Sequence, residues 1–214
     1  EILLNGKPIV IHSPRDAHAV RIGMVFQELN LIPAFSVAEN IALFLPNLKA
    51  VLNPREIDHR IDEISKHYGL EVNPRALVSQ LSIGEQQKVE ILKLLLSDAR
   101  LLILDEPTRV LAPHELKAFF DILDKLRKDG YAIVIITHKM KEVLECADRI
   151  TVLRGGRVAG SLLRAEASED KLVTLMFEKE LSGLKFNPNT GLESSAPVLE
   201  LQGVDTHAEG AGVS

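Results

Sequence analysis

The chain has 214 residues, 46% hydrophobic and 26% charged, with a net charge of −5, the balance of an ordinary globular protein with enough apolar material for a sizeable core. That acidic balance leaves no electrostatic footprint for nucleic acid, no run reaches the roughly 18 apolar residues of a membrane span, and no signal peptide is visible. The single cysteine, Cys146, excludes an internal disulfide, fits a reducing compartment, and reads as a packed core thiol within Val143-Leu-Glu-Cys-Ala147.

The first residue is Glu1 rather than Met, directly in strand-like sequence, which reads as an excised or incomplete chain. Ile2-Leu-Leu4 and Pro8-Ile-Val-Ile11 flank Asn5-Gly6, a strong two-residue hairpin signal. Ser13-Pro14-Arg15-Asp16 opens a helix with an N-cap, Pro at the first helical position and an acid in the first turn. Ile22-Gly-Met-Val-Phe26 is a short strand running into Gln27. Ser36-Val-Ala-Glu39 is a capping box for another helix. Asn53-Pro54-Arg-Glu56 caps a third, with Ile57, Ile61, Ile64 and Tyr68 at helical spacing and Gly69 as its stop. A Leu- and Ile-rich helix spans Gly84 to Leu96. Leu101 to Leu104 is wholly apolar, as expected of a parallel strand with helices on both faces. Pro113 to Lys128 is a helix with Leu116, Phe119, Phe120, Leu123 and Leu126 inward, closed by Gly130. Tyr131 to Ile136 is a second buried strand and Ile150 to Leu153 a third, after which Gly155-Gly156 turns the chain back into Arg157-Val-Ala-Gly160. The alternation is the doubly wound α/β pattern. Residues 184–196 are polar with Pro, Gly and Ser, a linker, and Pro197 to Val204 reads as the first strand of a further domain.

An apolar strand ending in the adjacent acids Asp105 and Glu106 is costly unless they face a cation or ligand. Asp105 is placed to hold Mg2+ through water. Glu106 is placed to take a proton from a water attacking a phosphate, and Pro107 stops the strand. Ile133 to Ile136 ends in Thr137-His138, and Ile22 to Phe26 ends in Gln27, an amide able to orient water or a metal. Parallel neighbours end on one edge, where ligands of open α/β sheets bind, so three strands deliver Gln27, Asp105, Glu106 and His138 together. Ser82-Ile-Gly84, at a helix N-terminus, offers a hydroxyl and backbone N–H groups to an anion. Singly, the acid pair is a turn, the histidine a packed side chain and the serine an N-cap; their coincidence points to a site. A phosphate-cradling G-x-x-x-x-G-K-S/T loop does not occur in the 214 residues.

In order and spacing, Gln27, Leu81-Ser-Ile-Gly-Glu-Gln-Gln87, Leu101 to Thr108 and Thr137-His138 resemble the nucleotide-binding cassette of ABC transporters, over residues 1 to about 180. The resemblance implies a P-loop NTPase-like (ABC ATPase) α/β fold: a mostly parallel sheet, a helical subdomain at about residues 36–96, and N-terminal truncation that omits the Walker A segment. It makes Gln27 the Q-loop glutamine and Ser82, Gly84, Glu85 and Gln86 the nucleotide-binding signature. Asp105 becomes the Walker B aspartate, holding Mg2+ together with Gln27. Glu106 becomes the catalytic glutamate and His138 the switch histidine. Phe26 to Pro33 with Ser36-Val-Ala-Glu-Asn40 is similar to importers of simple sugars, while Val89-Glu-Ile-Leu-Lys93 and Thr137 to Val143 are similar to the nucleoside-importing branch. Both branches carry two cassettes in one polypeptide, which implies a cassette over residues 1–183, the linker at 184–196 and the start of a second cassette at 197–214.

The implied function is an ATP-binding and hydrolysing subunit that powers import of simple sugars or nucleosides, using ATP and Mg2+. Its implied partners are transmembrane permease subunits and a second ABC cassette, in the same chain or a dimer partner, with no nucleic acid; its implied place is peripheral, on the cytoplasmic face of the cell membrane. The apolar loop Leu29 to Phe35 is expected to dock a short helix of the permease. Two departures stand out. The signature has Ile83 and Glu85 where many cassettes have Gly and Gln. The turn after Thr108 reads Arg109-Val-Leu-Ala112 where many carry Ser-Ala-Leu-Asp, so the aspartate that bridges two cassettes is absent. Without the Walker A loop the 214 residues alone are expected to be inactive, with an exposed sheet edge and uncovered apolar faces. One alternative is a non-catalytic interaction module on the same fold. Another is a DNA-repair or chromosome-type cassette, which inserts a long coiled coil before the signature; residues 28–80 carry no sustained heptads.

Overall fold

The computed structural model describes residues 1–45 and 54–177. The Asn53 cap, the linker at 184–196 and the strand expected after Pro197 lie outside the described residues. Strands β1 (Ile2–Leu4) and β2 (Lys7–Ile9) form the expected hairpin, with Leu4 paired to Lys7. Asn5 and Gly6 hold its turn at φ of 51° and 76°, left-handed values that these two residues adopt at little cost. The Ser13 hydroxyl caps α1 (Pro14–Ala19) by accepting from the Asp16 N–H. After β3 (Ile22–Val25), Ser36 and Glu39 form the expected capping box at the start of α2 (Val37–Phe44). Helix α3 (Pro54–Tyr68) buries Ile57, Ile61 and Tyr68 on its apolar stripe. In α4 (Ile83–Leu96), Val89, Ile91, Leu92, Leu94, Leu95 and Leu96 are all buried, together with Glu90 and Lys93, so the C-terminal half of this helix is covered all round.

The chain continues through β4 (Leu101–Asp105), α5 (Pro113–Lys128), β5 (Ala132–Ile136), α6 (Met140–Cys146), β6 (Arg149–Arg154), β7 (Arg157–Leu163) and α7 (Glu169–Phe177). The sheet order β3-β4-β5 is parallel throughout. Val25 pairs with Leu104, and Asp105 with Ile136, so all three strands end on one edge. Gly23 lets α4 approach β3 closely: a Cβ there would meet Leu94 Cδ2 at 2.8 Å and the Ala99 Cβ at 3.2 Å. Val25, Leu102 and Leu104 are fully buried on the face shared with α4 and α5.

The opposite face differs from the expectation of helices on both sides and agrees with that of uncovered apolar faces. Val134 and Ile136 are each 47% exposed there, so among the described residues only one face is covered. A second difference concerns Ile150 to Leu153, expected as a third buried strand beside the others. Strand β6 instead pairs antiparallel with β7 in a separate two-stranded sheet. The Gly155-Gly156 turn decides this, because a two-residue connection joins antiparallel neighbours whereas a parallel pair needs a crossover. Burial alternates accordingly: Ile150 and Val152 pack on Leu172 of α7, and Leu153 faces solvent. Cys146 is half-buried at the rim of the main core, and burial together with Glu142 and Glu145 raises its thiol pKa, the inert setting expected of a packed thiol. No helix of the described residues is long and apolar enough to cross a membrane.

Candidate functional site

The carboxyl edge of the β3-β4-β5 sheet brings the expected residues together. Asp105 is the last residue of β4 and Glu106 the next. His138 follows β5 by two residues and Gln27 follows β3 by two. Nδ1 of His138 lies 2.9 Å from Glu106 Oε1. An ionised carboxylate only accepts, so Nδ1 carries the proton and donates it. The Glu106 side chain is 25% exposed and that of His138 67%, so a solvent-borne group can reach both. Glu106 sits at φ 45°, a left-handed conformation that a non-glycine residue adopts at a cost of order 1 kcal/mol. Its N–H donates to the Ile136 carbonyl at 2.8 Å and its carbonyl accepts from the Arg109 N–H at 3.1 Å, so the end of β5 and the turn's own backbone hold it. Arg109 itself is exposed, and nothing in the structure explains why an arginine stands there.

Asp105 is half-buried and forms no ion pair with a described residue. A carboxylate so placed fits a hard cation that needs only one or two protein oxygens. No group of three or more His, Cys, Asp or Glu among the described residues could hold a metal by itself.

The turn before α4 is a complete capping box. The Ser82 hydroxyl accepts from the Glu85 N–H at 3.3 Å, and Glu85 Oε2 accepts from the Ser82 N–H at 2.8 Å and from its hydroxyl at 2.9 Å. These bonds hold the Glu85 carboxyl below its usual pKa, the Ser82 backbone bond first. Gln86 Nε2 donates to the Leu81 carbonyl at 3.1 Å. Both side chains therefore serve the loop itself, and the Ser82 N–H and hydroxyl are engaged with Glu85 as well. Gly84 packs against the Glu115 carboxylate, which a Cβ would strike. Glu115 is not free to leave, because it accepts the Ala112 N–H at 2.8 Å and so caps α5. Alanine at Gly84 should gain ~0.5–1 kcal/mol from helix propensity alone. In thermal melts, Gly84→Ala is expected to show that gain in a Glu115→Ala background and to lose it beside the native Glu115, where the cap must yield. Equal gains in both backgrounds would mean that the two residues are not coupled.

Beside the glutamine loop a cavity of about 140 Å³ is lined by Asn30, Ile32, Asn40, Leu43, Phe44 and Lys93. Asn40, 5% exposed, stiffens its wall by accepting the Ile32 N–H at 2.7 Å and donating to the Ile32 and Ser36 carbonyls. Lys93, also 5% exposed, pairs with Glu90 at 3.0 Å and donates to the Asn30 carbonyl at 3.0 Å.

The ABC transporter family model matches residues 1–109, half of the chain. The chain belongs to the ABC transporter family. As an ABC cassette it is similar to the ribose import ATP-binding protein RbsA 3 of Rubrobacter xylanophilus, 40% identical over 189 residues, covering 88% of this chain and 38% of that protein. It is likewise similar to the nucleoside import ATP-binding protein NupA of Lactococcus lactis subsp. cremoris, at 41% identity, 85% of this chain and 36% of that protein. The chain thus spans under two fifths of the length of these curated relatives. Among solved structures, cbiO1 from Clostridium perfringens, part of the ABC transporter complex cbiONQ, superposes with a TM-score of 0.64 at 28% identity, covering 82% of this chain and 72% of that one. The cassette MJ0796, solved as a dimer in a post-hydrolysis state with ADP and Pi, superposes with a TM-score of 0.60 at 28% identity, covering 71% and 68%. The ABC ATPase fold is therefore established, and with it the placement of β3, β4 and β5 in one parallel sheet.

Two parts of this ABC cassette escape the sequence reading. One is the left-handed turn at Glu106. The other is a set of buried polar contacts made by Thr108, Glu142 and Lys139, for which the only signal is the i, i+3 spacing of Lys139 and Glu142 after His138.

Proposed function

We propose that this chain is the ATP-binding and hydrolysing cassette of an importer for simple sugars or nucleosides. The carrying observation is the 2.9 Å contact between His138 and Glu106 at the carboxyl edge of the parallel sheet. Glu106 is the base: its carboxylate is oriented by the His138 N–H and open enough to receive the proton of the attacking water. His138 also faces the space that a terminal phosphate would occupy. Mg2+, which neutralises charge on the phosphates when bound, would be held by Asp105 with help from Gln27. Ser82 and Gly84 present the N-terminal end of α4 to the phosphates of a nucleotide on a second cassette, while Glu85 and Gln86 shape that turn. The ribose and nucleoside import proteins among the relatives support the importer reading, and with it a peripheral position at the cytoplasmic side of a permease. Intact Glu106 and His138 favour this over a non-catalytic module.

The test is ATP hydrolysis and solute uptake by the full-length protein with its permease in vesicles. Uptake that depends on hydrolysis supports the proposal; no phosphate release at all favours the non-catalytic module. The cavity beside the glutamine loop is where a short permease helix would seat. Ile32 lines it and is 43% exposed. Ile32→Glu would bury an unpaired charge against that helix, so uptake and co-purification of the permease should each fall ~10-fold or more, and fall further than hydrolysis does. Unchanged uptake would remove the docking role from this loop.

A further inference from the structure

We propose that Thr108, Glu142 and Lys139 form a clamp that positions Glu106 against His138. The inference rests on the reading of Glu106 as the base. Thr108 lies two residues past Glu106, and Lys139 directly follows His138. Thr108 is 2% exposed and Glu142 7%. The Thr108 hydroxyl donates to Glu142 Oε2 at 2.5 Å. Lys139 Nζ pairs with Glu142 Oε1 at 3.1 Å and donates to the Thr108 carbonyl at 3.0 Å. A further contact from Nζ to Thr108 Oγ1, at 3.3 Å, closes the ring. Both carboxylate oxygens of Glu142 and the Thr108 hydroxyl and carbonyl are therefore satisfied inside one network.

Its location explains what it does. The two loops that carry Glu106 and His138 leave neighbouring strands and share only one backbone bond, from the Glu106 N–H to the Ile136 carbonyl. That single bond acts as a hinge. The clamp adds a second, side-chain attachment on the far side of Glu106, which stops the loop from turning about the hinge and keeps the left-handed φ of Glu106 in place. A left-handed glutamate persists only where its surroundings over-determine it. Net stability is an inadequate reason for such a network, because the Lys139 side chain is 37% exposed and a pair screened by solvent on one side contributes little. Position is an adequate one, since a misplacement of about 1 Å at a reacting group costs on the order of 10²-fold in rate.

Thr108, Glu142 and Lys139 are thus positioning residues, and the prediction separates position from stability. In the full-length protein with its permease, Thr108→Val keeps the shape and removes the hydroxyl. It should lower kcat ~10–100-fold with the KM for ATP within about twofold, and Thr108→Ser should restore most of the rate. Lys139→Met, on a half-buried side chain, should give the same split and serves if Thr108→Val does not fold. Glu106→Gln is the control for the underlying reading. If Glu106→Gln abolishes turnover while Thr108→Val and Lys139→Met keep the native kcat, the clamp is overturned and the base stands. If Thr108→Ser is as slow as Thr108→Val, or kcat falls only together with ATP affinity and melting temperature, the clamp is merely structural and the proposal fails. If Glu106→Gln hydrolyses at the native rate, the base reading itself fails and the clamp falls with it.

Discussion

Glu106→Gln in the full-length protein is expected to lower ATP turnover by ~10²–10⁴-fold, the usual worth of a positioned general base, while ATP binding persists. The substitution is nearly isosteric. The amide oxygen can still accept from His138 Nδ1, now 2.9 Å away from the carboxylate, and the backbone bonds that hold the turn, Glu106 N–H to Ile136 and Arg109 N–H to Glu106, do not involve the side chain. What disappears is the capacity to take a proton. Phosphate release and calorimetric ATP binding, measured on the same preparation, separate the two effects: binding should hold and hydrolysis collapse. Turnover at the native level would assign the proton to another group, and a loss of binding would place Glu106 among the groups that hold the nucleotide.

The local rules were legible and the long-range ones only in part. Ser36 with Glu39 and Ser82 with Glu85 announce their capping boxes at a spacing of three residues, and both form. The apolar stripes of α3 and α5 lie where the 3.6 period puts them. The sheet edge was legible because parallel strands end together, which brings Glu106 to His138 across an interval of 32 residues. The pairing of β6 was legible only in part, because Ile150-Thr-Val-Leu153 looks alike in a parallel and an antiparallel strand, and only the Gly155-Gly156 turn after it distinguishes the two. Val134 and Ile136 have the composition of buried strand residues, and composition does not say what lies opposite; the uncovered apolar face was expected only from the resemblance. The orientation of Gln86 was invisible, since a polar residue beside a serine turn can point at a ligand or brace the loop; that of Glu85, expected at the nucleotide, was signalled by its spacing from Ser82. Glu106 carries no compositional sign that its backbone is left-handed.

Glu90 and Lys93 were visible and passed over: two charges at i, i+3 inside the apolar run of α4 have to face each other or be very costly. Their side chains are 4% and 6% exposed and 3.0 Å apart. Lys93 also donates to Asn30 and lies 5.0 Å from the centroid of the Phe44 ring, so one ammonium ties α4 to α2 and to the loop that begins at Gln27. Lys93→Met keeps the aliphatic stem, removes the charge and strands the Glu90 carboxylate in the core. The expected loss is ~3–5 kcal/mol, the cost of breaking a buried pair from one side, or a fall in melting temperature of about 6–20 °C. The paired variant Glu90→Leu/Lys93→Met leaves no charge behind and should recover to within ~1–2 kcal/mol of the native protein. A Lys93→Met protein of native stability would mean that water reaches Glu90. Recovery of stability in the paired variant without recovery of ATP turnover would have a different meaning. It would show that the pair is kept for the bond to Asn30, three residues past Gln27, and not for the stability of the core.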